Sequence, residues 1–227
     1  GNDLIHSGGG SDDVDAADGD DFVNGGANDT VHVFGAFGTV IGFTGPAETL
    51  VGGPGNDTLS FEGFFKAFPS NVAPGRRYGV VVNLSTNKTG GGAMGITISG
   101  FENIIGSNYG DDLTGDAGPN VFSPLRGGGT GTSYSASAST SGPDRIDGLG
   151  GEDTLIIDFS LADVADSLGI VTAGAGMYRN TIGNVATVDS YLWYNIEHLE
   201  ITGASKNDSL YTVAYGFSDI LRGMGGN

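Results

Sequence analysis

The sequence predicts an all-β fold, a right-handed parallel β-roll or β-helix solenoid with glycine- and aspartate-rich turns and irregular insertions. Three observations predict it. Aspartates recur at intervals of 9, 9 and 8 residues from Asp3 to Asp29, a branched aliphatic residue follows each of them two positions later, and 43 of the 227 residues are glycine. Short sequence periods are typical of solenoids, in which each coil buries its apolar face only against its neighbours.

The nine-residue unit combines a tight turn with a very short strand. Residues 52–60, Gly-Gly-Pro-Gly-Asn-Asp-Thr-Leu-Ser, are its most complete copy, and residues 7–15 are another. The glycines permit positive backbone angles and a close approach of the backbone to a bound ion. Because side chains alternate faces along a strand, the central aliphatic residue faces inward. Two units form one coil of about 18 residues, and stacked coils pair as parallel strands, so these residues form an inner ladder. The first four are Ile5, Val14, Val23 and Val31.

Stacked coils also place aspartates above one another, and this arrangement requires a cation. Unscreened carboxylates a few ångströms apart repel each other strongly. The chain has 27 Asp and Glu residues but only 9 Lys and Arg residues, so its own side chains do not supply enough positive charge. Calcium accepts about six to eight oxygen ligands in irregular geometry, including carboxylates and backbone carbonyls. The pattern therefore predicts several Ca²⁺ ions between the coils.

The motif in residues 7–15 and 52–60 resembles the nonapeptide of the repeats-in-toxin (RTX), or hemolysin-type, calcium-binding family. In that family each ion lies between one turn and the turn two repeats later, which implies the pairs Asp3 with Asp21 and Asp12 with Asp29. The resemblance also implies export by a type I system, with a chain that stays unfolded at low cytosolic calcium and folds outside the cell.

Later turns depart from the motif. Asn120 occupies an aspartate position and offers calcium an uncharged oxygen, which predicts a weaker site. Lys206 replaces the glycine before Asp208, so we expect less secure sites at Asp208 and Asp219 than near the N-terminus. The predicted metal-site residues are Asp3, Gly8, Gly10, Asp12, Gly19, Asp21, Asp29, Gly52, Gly53, Gly55, Asp57, Asp111, Gly115, Asn120, Asp144, Gly148, Gly150, Asp153, Asp208 and Asp219.

A longer period underlies the short one. Residues 57–61 align with residues 153–157 at an offset of 96, and Glu102 aligns with Glu197 at an offset of 95. We expect these two glutamates to face solvent or to cap a turn, with a ligand role as the less favoured alternative. The predicted divisions of one continuous solenoid are calcium coils followed by a metal-free coil at 1–51, a first repeat module at 52–126, a low-complexity loop at 127–142 and a second repeat module at 143–227.

Several segments interrupt the repeats. Residues 79–84 and 95–99 read as strands joined by a polar, glycine-rich loop. Residues 64–78 form an aromatic and basic insertion that we expect to cover an edge of the solenoid. Residues 161–168 have apolar residues at helical spacing, which is compatible with a short surface helix or lid. Both ends of the chain interrupt a repeat, so we expect a fragment of a longer protein.

Composition excludes several classes of protein. A net charge of −18 disfavours nucleic-acid and anionic-membrane partners, and the absence of cysteine excludes disulfides. The chain has no apolar run of membrane-spanning length, no H-E-x-x-H zinc motif and no G-x-S-x-G elbow. The only basic cluster suited to an acidic sugar substrate is Lys66, Arg76 and Arg77 with Tyr78.

The sequence therefore predicts a calcium-binding structural region, and not an enzyme, in a large secreted or cell-surface bacterial protein. A surface layer, an adhesin or an extracellular filament would fit. Expected partners are calcium, neighbouring repeats, further copies of the chain and a surface glycan, with no nucleic acid and no membrane insertion. Two alternatives stay open, namely a non-catalytic secretion and folding module of an extracellular enzyme, and a calcium-dependent polysaccharide lyase or epimerase.

Overall fold

The computed structural model describes residues 3–15, 22–26, 28–32, 49–62, 79–107, 109–125, 144–158, 160, 169–171, 178–179, 191–203, 209–211 and 219–223. Within these residues every regular element is a β-strand. No helix in this described part has the length and apolar character needed to cross a membrane. The strands are β1 (Leu4–His6), β2 (Asp13–Asp15), β3 (Phe22–Asn24), β4 (Thr30–His32), β5 (Thr49–Val51), β6 (Thr58–Ser60), β7 (Val80–Asn83), β8 (Lys88–Gly91), β9 (Thr97–Ser99), β10 (Asn103–Ile105), β11 (Asp112–Thr114), β12 (Val121–Ser123), β13 (Asp144–Asp147), β14 (Thr154–Asp158), β15 (Gly169–Val171), β16 (Tyr178–Arg179), β17 (Tyr191–Tyr194), β18 (His198–Thr202), β19 (Ser209–Tyr211) and β20 (Ile220–Arg222).

Most of the strand pairs are parallel, as predicted, and the antiparallel pairs are β7 with β8 and β16 with β17 among the described residues. One sheet has eight strands in the order β2-β4-β6-β10-β12-β14-β18-β20, and a second has four in the order β1-β3-β5-β9. A third sheet has the order β16-β17-β13-β11-β7-β8, and β15 pairs with β19. Successive strands near the N-terminus alternate between the first two sheets. One coil therefore contains two nonapeptides, which confirms the predicted β-roll.

The strand registers preserve the repeat. Leu4 pairs with Phe22 and Asp13 pairs with Thr30, at separations close to the expected coil of about 18 residues. Later coils contain many more residues, yet the strands that follow them keep the same register. Thr30 pairs with Thr58, and Thr58 pairs with Asn103. Excursions of different length thus leave the stacked strands aligned.

The core consists of inward ladders that follow from the alternation of side chains along each strand. Val23, Leu50 and Ile98 stack in the four-stranded sheet and are 0 to 1% exposed. Full burial of such a side chain stabilises the fold by about 1.5–3 kcal/mol. The ladder of the eight-stranded sheet contains Val14, Val31, Leu59, Ile104, Phe122, Leu155 and Leu199, and that of the third sheet contains Val82, Leu113, Ile146 and Trp193.

A β-hairpin replaces the polar loop predicted between residues 84 and 95. β8 runs antiparallel to β7, with Val82 opposite Thr89. The turn is closed by Asn83, whose Oδ1 accepts hydrogen bonds from the backbone N–H and the hydroxyl of Thr86, and Asn87 adopts a φ of 54°. Local side-chain capping of this kind is a common property of asparagine in turns.

Other predictions concern residues outside the described part of the chain. They are the metal-free coil at 33–48, the basic insertion at 64–78, the loop at 127–142, the helix or lid at 161–168, and the site residues Gly19, Asp21 and Asp208.

Candidate calcium sites between the coils

Seven residues occupy equivalent positions along the eight-stranded sheet, each immediately before a strand. The strand registers, extended by one residue, place them above one another. We call this set the turn-end column. Its members are Asp12, Asp29, Asp57, Glu102, Asn120, Asp153 and Glu197.

One hydrogen bond recurs along the turn-end column. The backbone N–H of Asp12 donates to Oδ1 of Asp29 at 2.8 Å, and the N–H of Asp29 donates to Oδ1 of Asp57 at 2.7 Å. The N–H of Asn120 likewise donates to Oδ1 of Asp153 at 2.8 Å. Each of these carboxylates therefore uses one oxygen to bind the adjacent coil.

The second oxygen is buried and unpaired at four positions. Oδ2 of Asp12, Asp29, Asp57 and Asp153 has no hydrogen-bond partner, and the last three side chains are 0 to 1% exposed. A buried carboxylate without a partner is strongly destabilising unless a counter-charge is present. These four oxygens are thus positions where a cation would stabilise the fold.

Backbone carbonyls lie near the same oxygens because glycines allow the turns to stack closely. A side-chain carbon added to Gly25 would lie 2.5 Å from Oδ2 of Asp29 and 2.6 Å from the carbonyl oxygen of Gly52. One added to Gly148 would overlap Oδ2 of Asp153. Only glycine leaves this space between two layers of oxygen atoms.

The donor set suits calcium. Within the part of the chain that the structure describes, no three acidic or histidine side chains cluster as metal ligands. The coil junctions instead combine two carboxylates with carbonyl oxygens, and calcium readily takes such mixed oxygen ligands. When bound, the ion would supply the positive charge that the paired carboxylates lack. The turns of Asp12, Asp29, Asp57 and Asp153 would hold it.

Asp111 differs, because every oxygen of its side chain is used inside the protein. Oδ1 accepts hydrogen bonds from the N–H of Val80 and the hydroxyl of Ser107, and Oδ2 accepts one from the N–H of Ser107, all at 2.7 Å. Burial raises the pKa of Asp111 to about 8, although these three hydrogen bonds act in the opposite direction. Asp144 continues this second stack, since its Oδ1 accepts the N–H of Asp111 at 2.8 Å.

Asn120 is also satisfied internally. Its Oδ1 accepts the N–H of Asp116 at 2.8 Å, and its Nδ2 donates to the carbonyl oxygen of Glu102 at 2.9 Å. The amide group thus connects two coils without an ion. The weaker calcium site predicted at Asn120 coincides with a junction that is already closed by hydrogen bonds.

Glu102 and Glu197 cap the turns before them, one of the two roles expected from the sequence. Oε2 of Glu102 accepts the N–H of Asp57 at 2.8 Å, and Oε2 of Glu197 accepts the N–H of Asp153 at 2.9 Å. Burial raises the pKa of Glu102, and the charges of Asp57 and Asp116 raise it further. Sequence analysis did not place these glutamates in register with the calcium-turn aspartates. The available signal was their recurrence 95 residues apart.

The remaining predicted residues occupy turns and edges. The glycines include four with φ between 98° and 157°, namely Gly8, Gly10, Gly53 and Gly55. Gly115 lies against Oδ1 of Asn120, and the N–H of Gly150 donates to the carbonyl of Asp116 at 3.2 Å. The carbonyl of Asp3 accepts the N–H of Phe22. Asp219 lies outside the turn-end column, because its Oδ1 accepts the N–H of Leu199, two residues beyond Glu197.

A stack of parallel coils with buried, unpaired carboxylate oxygens at its turns defines a cation-binding β-solenoid. A family model for the RTX calcium-binding nonapeptide repeat matches four copies within residues 1–31, 47–60 and 139–156. RTX nonapeptide repeats bind calcium ions. No curated protein matched the chain. All four aspartates with an unpaired buried oxygen lie in the matched segments, whereas Asp111 and Asn120 lie outside them.

Proposed function

We propose that this chain is a structural, calcium-binding region of a secreted or cell-surface bacterial protein and that it folds when it meets calcium outside the cell. The observation that carries the proposal is the coincidence of the unpaired oxygens of Asp12, Asp29, Asp57 and Asp153 with the matched RTX repeats. These carboxylates oppose coil stacking without an ion and favour it with one. Calcium binding is thereby coupled to folding.

The charge of the chain supports a calcium-dependent switch. A net charge of −18 opposes compaction until cations neutralise part of it. Extracellular calcium modules typically have dissociation constants of about 10⁻⁴ to 10⁻³ M. A site of that strength is empty at low cytosolic calcium and occupied outside the cell, which fits export of an unfolded chain.

A structural role fits the use of the described acidic groups. Each carboxylate of the turn-end column has a structural use. It either accepts a hydrogen bond that joins one coil to the next, or it lies where an ion could bind between coils. His32 and His198 each lie beside one carboxylate, at 2.8 Å from Asp13 and 3.3 Å from Glu152. We therefore favour a scaffold over a lyase or an epimerase.

We also propose that residues 52–126 and 143–227 are tandem modules of one solenoid. Equivalent bonds recur in both. The N–H of Gly52 donates to the carbonyl of Ser99 at 3.0 Å, and the N–H of Gly148 donates to the carbonyl of Tyr194 at 3.0 Å. The outermost described strands expose Leu4, Ile220 and Leu221, which is compatible with further stacking or self-association.

Circular dichroism during calcium titration after chelation tests the proposal. We expect a cooperative gain of β signal with calcium and a much weaker response to magnesium, which requires smaller, octahedral coordination. Sodium chloride at matched ionic strength is the control, because it screens the net charge without filling the sites. An unchanged β signal with and without calcium would contradict the proposal.

A further inference from the structure

We infer that Glu102 and Glu197 are calcium ligands that complete two sites with Asp57 and Asp153, where the next coil lacks a glycine-rich turn. The inference rests on the proposed calcium function and extends it to residues outside the repeat motif. The family model covers Asp57 and Asp153 but neither glutamate.

The first argument is position. Asn103 pairs with Thr58 and His198 pairs with Thr154, so each glutamate lies opposite the calcium-turn aspartate of the preceding layer. Each accepts the backbone N–H of that aspartate at 2.8 or 2.9 Å, just as Asp29 accepts the N–H of Asp12 at 2.8 Å. The glutamates therefore replace an aspartate in the repeating pattern.

The second argument is the unpaired oxygen at both junctions. Asp57 and Asp153 are 0% exposed, and Oδ2 of each has no hydrogen-bond partner. Oδ1 of each is already bound to the N–H of Asp29 or Asn120 in the neighbouring coil. A glutamate that only capped the turn would leave this buried oxygen without a counter-charge, whereas a shared ion would neutralise both carboxylates.

The third argument is the carbonyl that completes the donor set. A carbon added to Gly148 would contact both Oδ2 of Asp153 and the carbonyl oxygen of Asn195, two residues before Glu197. Gly25 has the equivalent arrangement with Oδ2 of Asp29 and the carbonyl of Gly52. The segment before Glu197 thus places a carbonyl oxygen at the position where a glycine-rich repeat turn places one.

The electrostatics agree with this assignment. Asp57 and Glu102 meet at one junction and Asp153 and Glu197 meet at the other, in each case through the backbone N–H of the aspartate. The two acids at each junction repel each other, and the same unfavourable pair occurs twice in the chain.

The test counts bound calcium by equilibrium dialysis with the whole chain carrying Glu102→Gln, Glu197→Gln or both. Glutamine keeps an oxygen that can accept the aspartate N–H but removes the charge. We expect each single variant to bind one calcium fewer than the unsubstituted chain and the double variant two fewer. Glu62→Gln is the matched control, because it removes one charge from an exposed side chain and should leave the count unchanged.

Two results are distinguishable. Full calcium counts in both glutamine variants, together with a lower count in Asp29→Asn, would overturn the ligand assignment and leave the glutamates as caps. No calcium bound by the unsubstituted chain would instead refute the proposed function. Glu102 and Glu197 lie at separate junctions, so each variant tests the assignment by itself. If only one glutamine variant folds fully in calcium, as judged by its β signal in circular dichroism, the calcium count of that variant still decides between a ligand and a cap.

Discussion

Asp29 and Asp111 are both buried carboxylates that join adjacent coils, yet their second oxygens differ. Oδ2 of Asp29 has no partner, whereas Oδ2 of Asp111 accepts the N–H of Ser107. Asp29 follows Gly25 and Gly26, and Asp111 follows Gly106 and Ser107. The backbone N–H of Ser107 thus donates within its own turn, whereas the corresponding N–H of Gly26 donates to the carbonyl oxygen of Gly52 in the next coil and leaves Oδ2 of Asp29 without a donor.

A similar contrast occurs within the turn-end column. Gly8, Gly53 and Leu149 occupy the second turn position before Asp12, Asp57 and Asp153, whose Oδ2 atoms are unpaired. The turn of Asn120 has Asp116 at this position. The side chain of Asp116 accepts the N–H of Gly118, and its backbone N–H donates to Asn120. In this turn, as in that of Asp111, the backbone N–H of the second residue donates to the residue at the end of its own turn.

The largest expected effect is that of Asp29→Asn, which removes charge from the junctions with Asp12 and Asp57. Each ion lost costs about 2.7 kcal/mol of unfolding free energy when calcium is 100-fold above its dissociation constant. Urea unfolding in calcium and in chelator measures the difference. We expect the loss only in calcium, because asparagine retains the oxygen that accepts the N–H of Asp12.

Glu62→Gln is the control for this experiment, since it changes net charge at an exposed position. An equal loss of stability in both variants would show that overall charge, and not a site at Asp29, determines the calcium response.

A smaller effect is expected for Ser107→Gly, which removes the hydroxyl that donates to Oδ1 of Asp111 and keeps the backbone N–H that donates to Oδ2. The buried Oδ1 of Asp111 loses one of its two donors, so stability in chelator should fall by about 1–3 kcal/mol. The loss should be equal with and without calcium, because Oδ2 keeps its backbone donor and no additional ion is expected to bind. An additional calcium equivalent bound by this variant would show that the hydroxyl of Ser107, and not the backbone of the turn, keeps an ion away from Asp111.

The smallest effect is expected for Asn120→Asp. The carboxylate cannot donate to the carbonyl of Glu102 and it adds a charge close to Asp116, so we expect a loss of about 1 kcal/mol in chelator. In calcium, the Asn120→Asp variant should instead be more stable than the unsubstituted chain. Thermal unfolding with and without calcium checks both values, and a variant that is less stable in both conditions would argue against a latent site.

Much of this architecture follows from local sequence. The spacing of Asp3, Asp12 and Asp29 and the inward positions of Val23 and Val31 predict the coil length and the ladders, because glycine turns and alternating strands are local properties. Non-local features could not be predicted in this way. The return of Glu102 to the turn-end column after a long excursion depends on strand pairing across 45 residues.

The structure adds a physical distinction among the predicted metal-site residues that the sequence pattern does not contain. The pattern predicts a metal site at Asp111 as it does at Asp29, and in the structure the backbone N–H and the hydroxyl of Ser107 donate to the two carboxylate oxygens of Asp111. The serine at position 107 was visible in the sequence. Its consequence depends on backbone geometry that only the folded turn provides.

The most direct test of the central claim is an anomalous difference map from crystals of the chain grown in calcium. The account predicts peaks beside Oδ2 of Asp12, Asp29, Asp57 and Asp153 and none beside Asp111 or Asn120. Peaks of equal height at Asp111, or no peaks at the four unpaired oxygens, would contradict it.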